Sequence, residues 1–172
     1  MTAIDEWTRS MRDSLLELER VFEPRFGYPF DPANNFVSEP GSTVDLHGRL
    51  PDALVDFYST VGEVSLPDVH NGYFIHPVQA VLDADETLPA RVEDGVGKEV
   101  VTFGSDGGGG LFCVAVPDGA VYYLPTGRVD DGVFYGGGDK PSVVATDFAG
   151  FLARLLAVVR EFAATGSTAG IS

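Results

Sequence analysis

Ile4, Trp7, Met11, Leu15, Leu18 and Phe22 recur at steps of three and four. That spacing predicts an amphipathic helix, with Asp5, Glu6, Arg9, Arg12, Asp13 and Glu17 mostly on its polar face. Pro24 is expected to stop it, because proline lacks the backbone donor that a helix interior needs. Between residues 24 and 41, prolines 24, 29, 32 and 40 and two glycines predict a long connecting loop. Its Tyr28, Phe30 and Phe36 are expected to lay the loop down on the domain. Residues 50–62 then predict a short helix: Pro51 suits a first turn, Asp52 sits at the positive end of the helix dipole, and Leu54, Phe57, Tyr58 and Val61 share one face. Gly62 is expected to close it in the left-handed conformation.

Beyond this helix the period falls to two. Tyr73 to Leu82 reads as a strand with a bend at Pro77, and Glu99–Phe103, Leu111–Val116 and Ala120–Leu124 read as three more. Asp118-Gly119 is a hairpin turn signal, since both positions tolerate positive φ. Phe148, Phe151, Leu152, Leu155, Leu156, Val159 and Phe162 restore helical spacing, with Thr146 the expected N-cap and Gly166 the stop. Helix, helix, consecutive strands and helix make an α+β domain: an antiparallel curved sheet flanked by N-terminal and C-terminal helices. The expected division is residues 1–49 as N-terminal helix and proline-rich loop packed on the domain, 50–166 as the α+β domain, and 167–172 as a short tail.

At 172 residues the chain is long enough to bury its own core without cross-links. Its 11 Lys and Arg against 26 Asp and Glu leave a formal charge of −15, with no basic cluster. That argues against direct nucleic-acid binding and against an anionic membrane surface, and for a basic partner. Cys113 is the sole cysteine, so no internal disulfide forms. The acidic first residues lack a signal-peptide pattern, and Arg154 and Arg160 interrupt the most apolar run, so a cytoplasmic, soluble protein is expected.

Candidate chemistry is sparse. The run Gly104-Ser105-Asp106-Gly107-Gly108-Gly109-Gly110 could suggest a phosphate cradle, but it leads into a strand, has no adjacent lysine and carries Asp106. It therefore reads as a tight turn. Gly136-Gly137-Gly138 reads as a flexible loop. His47, His70 and His76 do not form a zinc spacing with Cys113, so no metal and no cofactor is expected. Cys113 lies in an apolar strand and reads as a small buried hydrophobe. The acid distribution stands out more: Asp52, Asp56, Glu63, Asp68, Asp83, Asp85 and Glu86 fall between residues 50 and 90, which hold no Lys or Arg. A one-signed region of this kind can steer and orient a basic protein.

Taken in order, several segments resemble the SUKH superfamily, which takes in the fungal cell-wall assembly regulator and many bacterial immunity proteins. Leu50-Pro51 with the Phe57-Tyr58 helix, and Phe74-Ile75-His76-Pro77-Val78, look like its first half. Val101 to Phe112 looks like its central glycine motif, Asp118 to Tyr122 like its following hairpin, and Val144 to Leu152 like the start of its closing helix. The likeness covers about residues 50–162 and rests on ordered spacing. Two departures are a first 49 residues longer than the usual lead-in, and Gly110 at a position that is often acidic.

The resemblance implies a SUKH-like fold and a binding role with no catalytic residues, hence no enzyme. The expected function is a non-enzymatic protein-binding domain, an immunity protein neutralising a basic toxin domain such as a nuclease. The alternative is a housekeeping regulatory or scaffold module of the cell-wall-regulator type. Under the first reading the expected partner contacts are Asp68, Asp83, Asp85, Glu86, Asp106, Asp130 and Asp131.

Overall fold

The two helices with the strongest apolar stripes pair with each other across the whole chain. The computed structural model describes residues 1–41, 45–84, 88–93 and 96–172. In it α1 (Ala3–Phe26) packs along α4 (Phe148–Thr165). Thr2 caps α1 through a capping box with Asp5. The helix runs through Pro24 and ends at Gly27, in the left-handed conformation with φ 81°. The expected stop at Pro24 is therefore wrong by one turn, and the reason is tertiary. Phe26 stacks on Phe162 with ring centroids 5.4 Å apart, and Arg25 donates to the carbonyls of Phe162, Ala163 and Ala164. Those contacts hold the last turn of α1 beyond the proline while satisfying the open carbonyls of α4. At the other end, Trp7 Nε1 donates to the Leu152 carbonyl at 2.7 Å.

The first loop is not wholly irregular. Phe36–Val37 forms a two-residue strand, β1, against β2 (Val64–Leu66). Phe30 is buried in the core and Tyr28 meets Phe22 edge-on, so the aromatic residues do lay the loop down. Helix α2 (Asp52–Tyr58) is shorter than expected, and Gly62 does not cap it. Glycine is needed at 62 for a different reason: a Cβ there would run into the Glu39 carbonyl. After β3 (Tyr73–Ile75), Pro77 opens a one-turn helix, α3 (Val78–Leu82), where the sequence predicts a strand followed by a bend.

The remaining strands are β4 (Arg91–Val92), β5 (Lys98–Asp106), β6 (Leu111–Val116), β7 (Val121–Leu124), β8 (Gly127–Asp130), β9 (Val133–Gly136) and β10 (Ser142–Ala145). An antiparallel succession β1-β2-β3-β5-β6-β7-β10 forms the open sheet, and β4-β9-β8 extends from the first residues of β5. Only the β4–β9 pair, Arg91 beside Val133, is parallel among the described strands. This is the expected α+β architecture of an antiparallel sheet flanked by N- and C-terminal helices. Asp118-Gly119 makes the β6–β7 turn, with Gly119 at φ 81°. Asp147, not Thr146, caps α4, its carboxylate accepting from Gly150 N at 2.7 Å, and Gly166 ends that helix as expected.

The sheet is buried on both faces. Toward the helices, Phe103 and Phe112 meet Phe148 and Phe151, and Trp7, Leu18, Phe22 and Phe57 complete this main core. On the reverse face Val92, Val100, Cys113, Ala115, Leu124 and Phe134 form a second, smaller one. Alternation along β6 sends Phe112 and Val114 to the first and Cys113 and Ala115 to the second. Residues 167–172 turn back at Gly170 and bury Ile171 completely in the main core.

Phe103 has no exposed surface and touches three other aromatic rings. Phe103→Ala is expected to destabilise the protein by about 3–5 kcal/mol, read as a lowered denaturation midpoint with an unchanged m-value.

Candidate functional site

The glycine run forms the β5–β6 turn, and Asp106 organises it. Its Oδ1 accepts from Gly108 N at 2.9 Å and Gly110 N at 2.7 Å, and its Oδ2 accepts from the Tyr123 hydroxyl at 2.8 Å. Gly107 N donates to the Gly72 carbonyl and Gly109 N to that of Asp106. All four amides from 107 to 110 are thus engaged, and the group they surround is a carboxylate that repels phosphate. A Cβ on Gly107 would strike the Asn71 carbonyl, which ties this turn to the β2–β3 connection. A side chain at Gly110 would collide with the Tyr123 ring, so this tyrosine occupies the space of the polar residue expected there. Burial and the Asp106 carboxylate push the Tyr123 phenol up to about 12.

Cys113 is fully buried in the reverse core, and burial pushes its thiol up to about 12. Its polar neighbour is Thr102, whose hydroxyl lies 3.3 Å from the sulfur and donates to the Pro89 carbonyl. No thiolate nucleophile arises in such a setting. His76 bonds elsewhere, its Nε2 sharing a hydrogen bond with Ser105 Oγ at 2.9 Å, and burial pulls its pKa below the usual histidine value. His70 lies over Tyr73 with φ 53°. Among the described residues no group of three or more His, Cys, Asp or Glu could hold a metal ion.

The expected contact acids fall into two groups. Asp68 and Asp106 lie at the glycine-turn end of the sheet, and both are structurally engaged: the Asp68 carboxylate accepts from Asn35 Nδ2 at 2.6 Å, pinning the loop that precedes β1. Asp83, Asp130 and Asp131 are exposed at the other end. Asp83 follows α3 and accepts from Gln79, Asp130 pairs with Arg128, and Asp131 sits in the β8–β9 turn with φ 50°. Asp85 and Glu86 lie outside the described residues.

One cleft reaches Asp131 of this second group and another adjoins that cleft at Arg49, and the acid pattern of the sequence did not point to either. One, of about 580 Å³, is lined by Leu82, Ala84, Leu88, Val101 and Asp131. The other, of about 640 Å³, lies between the start of α2 and the ends of β5 and β6, with Asp52, Ala53, Val116 and Asp147 at its sides. Arg49, Leu50 and Val101 line both. A sequence pattern cannot show clefts of this kind, because their walls come from segments far apart in the chain.

These elements, from α2 through the glycine turn to the first turns of α4, coincide with a family pattern: the SMI1 / KNR4 family (SUKH-1) model matches residues 45–154. The chain belongs to the SMI1 / KNR4 family. No match appears among curated proteins or among solved structures. The SMI1 / KNR4 match leaves out α1 and the loop after it, although both pack on the matched core. At the family level the role is protein binding or immunity, and the family is generally non-catalytic. No helix among the described residues is long and apolar enough to cross a membrane.

The depressed pKa of His76 makes stability depend on pH. The unfolded chain takes up this proton near pH 6.5 while the folded protein resists it, so stability is full above that value and is lost as pH falls below it. His76→Gln, whose amide can still reach Ser105, is expected to flatten this dependence between about pH 5 and 7, measured by urea denaturation across that range.

Proposed function

We propose that this chain is an immunity protein that binds and neutralises a basic toxin domain, possessing no catalytic activity of its own. The observation that carries the reading is the acidic stretch inside the family region: seven carboxylates between residues 50 and 90 without a single Lys or Arg. Local pairing elsewhere sharpens it. Arg12, Arg20, Arg91, Lys98 and Arg128 form ion pairs, and Arg25 and Arg154 donate to backbone carbonyls. Most of the few cations are therefore engaged within the protein, and the surplus negative charge remains for a partner.

Of the proposed contacts Asp68, Asp83, Asp85, Glu86, Asp106, Asp130 and Asp131, the exposed ones at the α3 and β8–β9 end suit recognition best. Asp68 and Asp106 hold the fold in place through their hydrogen bonds. The regulatory or scaffold reading draws on a separate feature, the half-exposed Tyr28 on the loop outside the family match. In that reading host proteins are the partners.

Affinity capture from lysate of the native host, at low and high salt with mass-spectrometric identification, separates the two. One stoichiometric basic polypeptide released by salt is expected; a set of host regulatory proteins would favour the scaffold. Reversing Asp83, Asp130 and Asp131 together to Lys is expected to weaken binding of that polypeptide by about tenfold or more and to flatten its salt dependence. Unchanged affinity would remove the electrostatic contact. Asp106→Lys is expected instead to lower the melting temperature, because it breaks three hydrogen bonds at the turn.

A further inference from the structure

We propose that the groove on either side of Arg49 seats one extended segment of the protein partner, in which basic side chains bracket an apolar one. This inference rests on the protein-binding reading above and locates its contact. The floor is most apolar in the larger cleft, where Leu50, Val101, Val114 and Phe148 lie beneath it and Val116 is 37% exposed at its rim, and Leu50 and Val101 carry it on into the smaller one. The cleft volumes of about 580 and 640 Å³ fall within the roughly 300–1,000 Å³ of ligand sites, enough for a few side chains and not for a folded element.

Charge selects the occupant. Carboxylates line both clefts, Asp131 in one and Asp52 and the α4-capping Asp147 in the other. Arg49 is the one cation lining either cleft among the described residues, and it lies where the two meet. A lysine or arginine of the partner can lay its methylene stem on the apolar floor and carry its charged head to a carboxylate. The groove holds such a residue in each cleft, while its middle favours an apolar side chain and a backbone carbonyl facing Arg49. An acidic segment meets the reverse pattern at every position.

The test uses amide NMR of the full chain with two probes, acetyl-Lys-Leu-Ala-Leu-Lys amide and its counterpart with Glu in place of Lys. The basic peptide is expected to shift the amides of Arg49, Leu50, Val101 and Val116 and to bind about tenfold tighter than the acidic one, with affinity falling as salt rises. Asp52→Asn with Asp131→Asn removes two of the carboxylates while keeping side-chain shape. Ala53→Trp fills the cleft from an exposed helix position, so one variant tests charge and the other space. Both are expected to lose the peptide while keeping the native spectrum elsewhere. Equal response to both peptides, shifts centred on the glycine turn, or no shift at all would overturn the groove. Any of these would leave the captured-partner experiment standing, so the two readings fail separately.

Discussion

Strand β5 is the member on which the rest of the sheet depends. Its two edges pair with three strands: β6 along one side, and β3 and β4 at opposite ends of the other. Its side chains feed both cores, Phe103 toward the helices and Val100 toward the reverse face. A strand buried on both faces and paired on both edges has no tolerance for a slip in register, since a shift of one residue exchanges the two faces. The irregularity between Thr102 and Gly104 in the β5–β6 pairing is accommodated by glycine. A Cβ on Gly104 would press on the Phe74 carbonyl of the neighbouring strand.

That demand explains why the turn after β5 is both glycine-rich and acidic. The chain must reverse tightly while passing against Asn71 and beneath Tyr123, which excludes side chains at 107 and 110. Removing side chains leaves a floppy segment, and Asp106 restores order by gathering two amides and a phenol. Glycine for approach and aspartate for order are thus two halves of one requirement. Their purpose is structural, and this separates Asp106 from the exposed acids that it resembles in sequence.

How much of this was legible follows from the range of each interaction. The long helices, α2 and the β5–β6–β7 meander carry their own periodic signal, and the sequence reads them within a few residues. β1, β2 and β4 are two or three residues long, too short for a period of two to register, and their partners lie elsewhere in the chain. β8 and β10 follow turns without a strong hairpin signature, whereas the Asp131-Gly132 turn before β9 carries the same signal as Asp118-Gly119 without the long alternating runs that flank the latter. Helix α1 passes Pro24 because the contacts that carry it come from α4, over a hundred residues away. The acids were visible as a count along the chain. Which are spent on hydrogen bonds and which face solvent depends on tertiary partners such as Asn35 and Tyr123.

The distribution of cations completes the physical picture of the surface. In a chain with so few, each Arg or Lys used to close a helix, cap an edge or pair a turn is withdrawn from the surface field. Arg154 illustrates the cost: it donates to the Val144 carbonyl on the last strand of the sheet, blunting an edge that could otherwise recruit another strand. Arg25 does the same service for the end of α4. The fold thus uses most of its positive charge on backbone carbonyls and local pairs and leaves an excess of carboxylates beyond those, such as Asp68, Asp106 and Asp147, that it spends on hydrogen bonds. Arg49 stands apart from that pattern by its position at the junction of the two clefts, where the one cation among their described lining residues gives the groove a charge sequence instead of a uniform sign. A uniform acidic face would attract any basic protein; an alternating one discriminates among them by spacing.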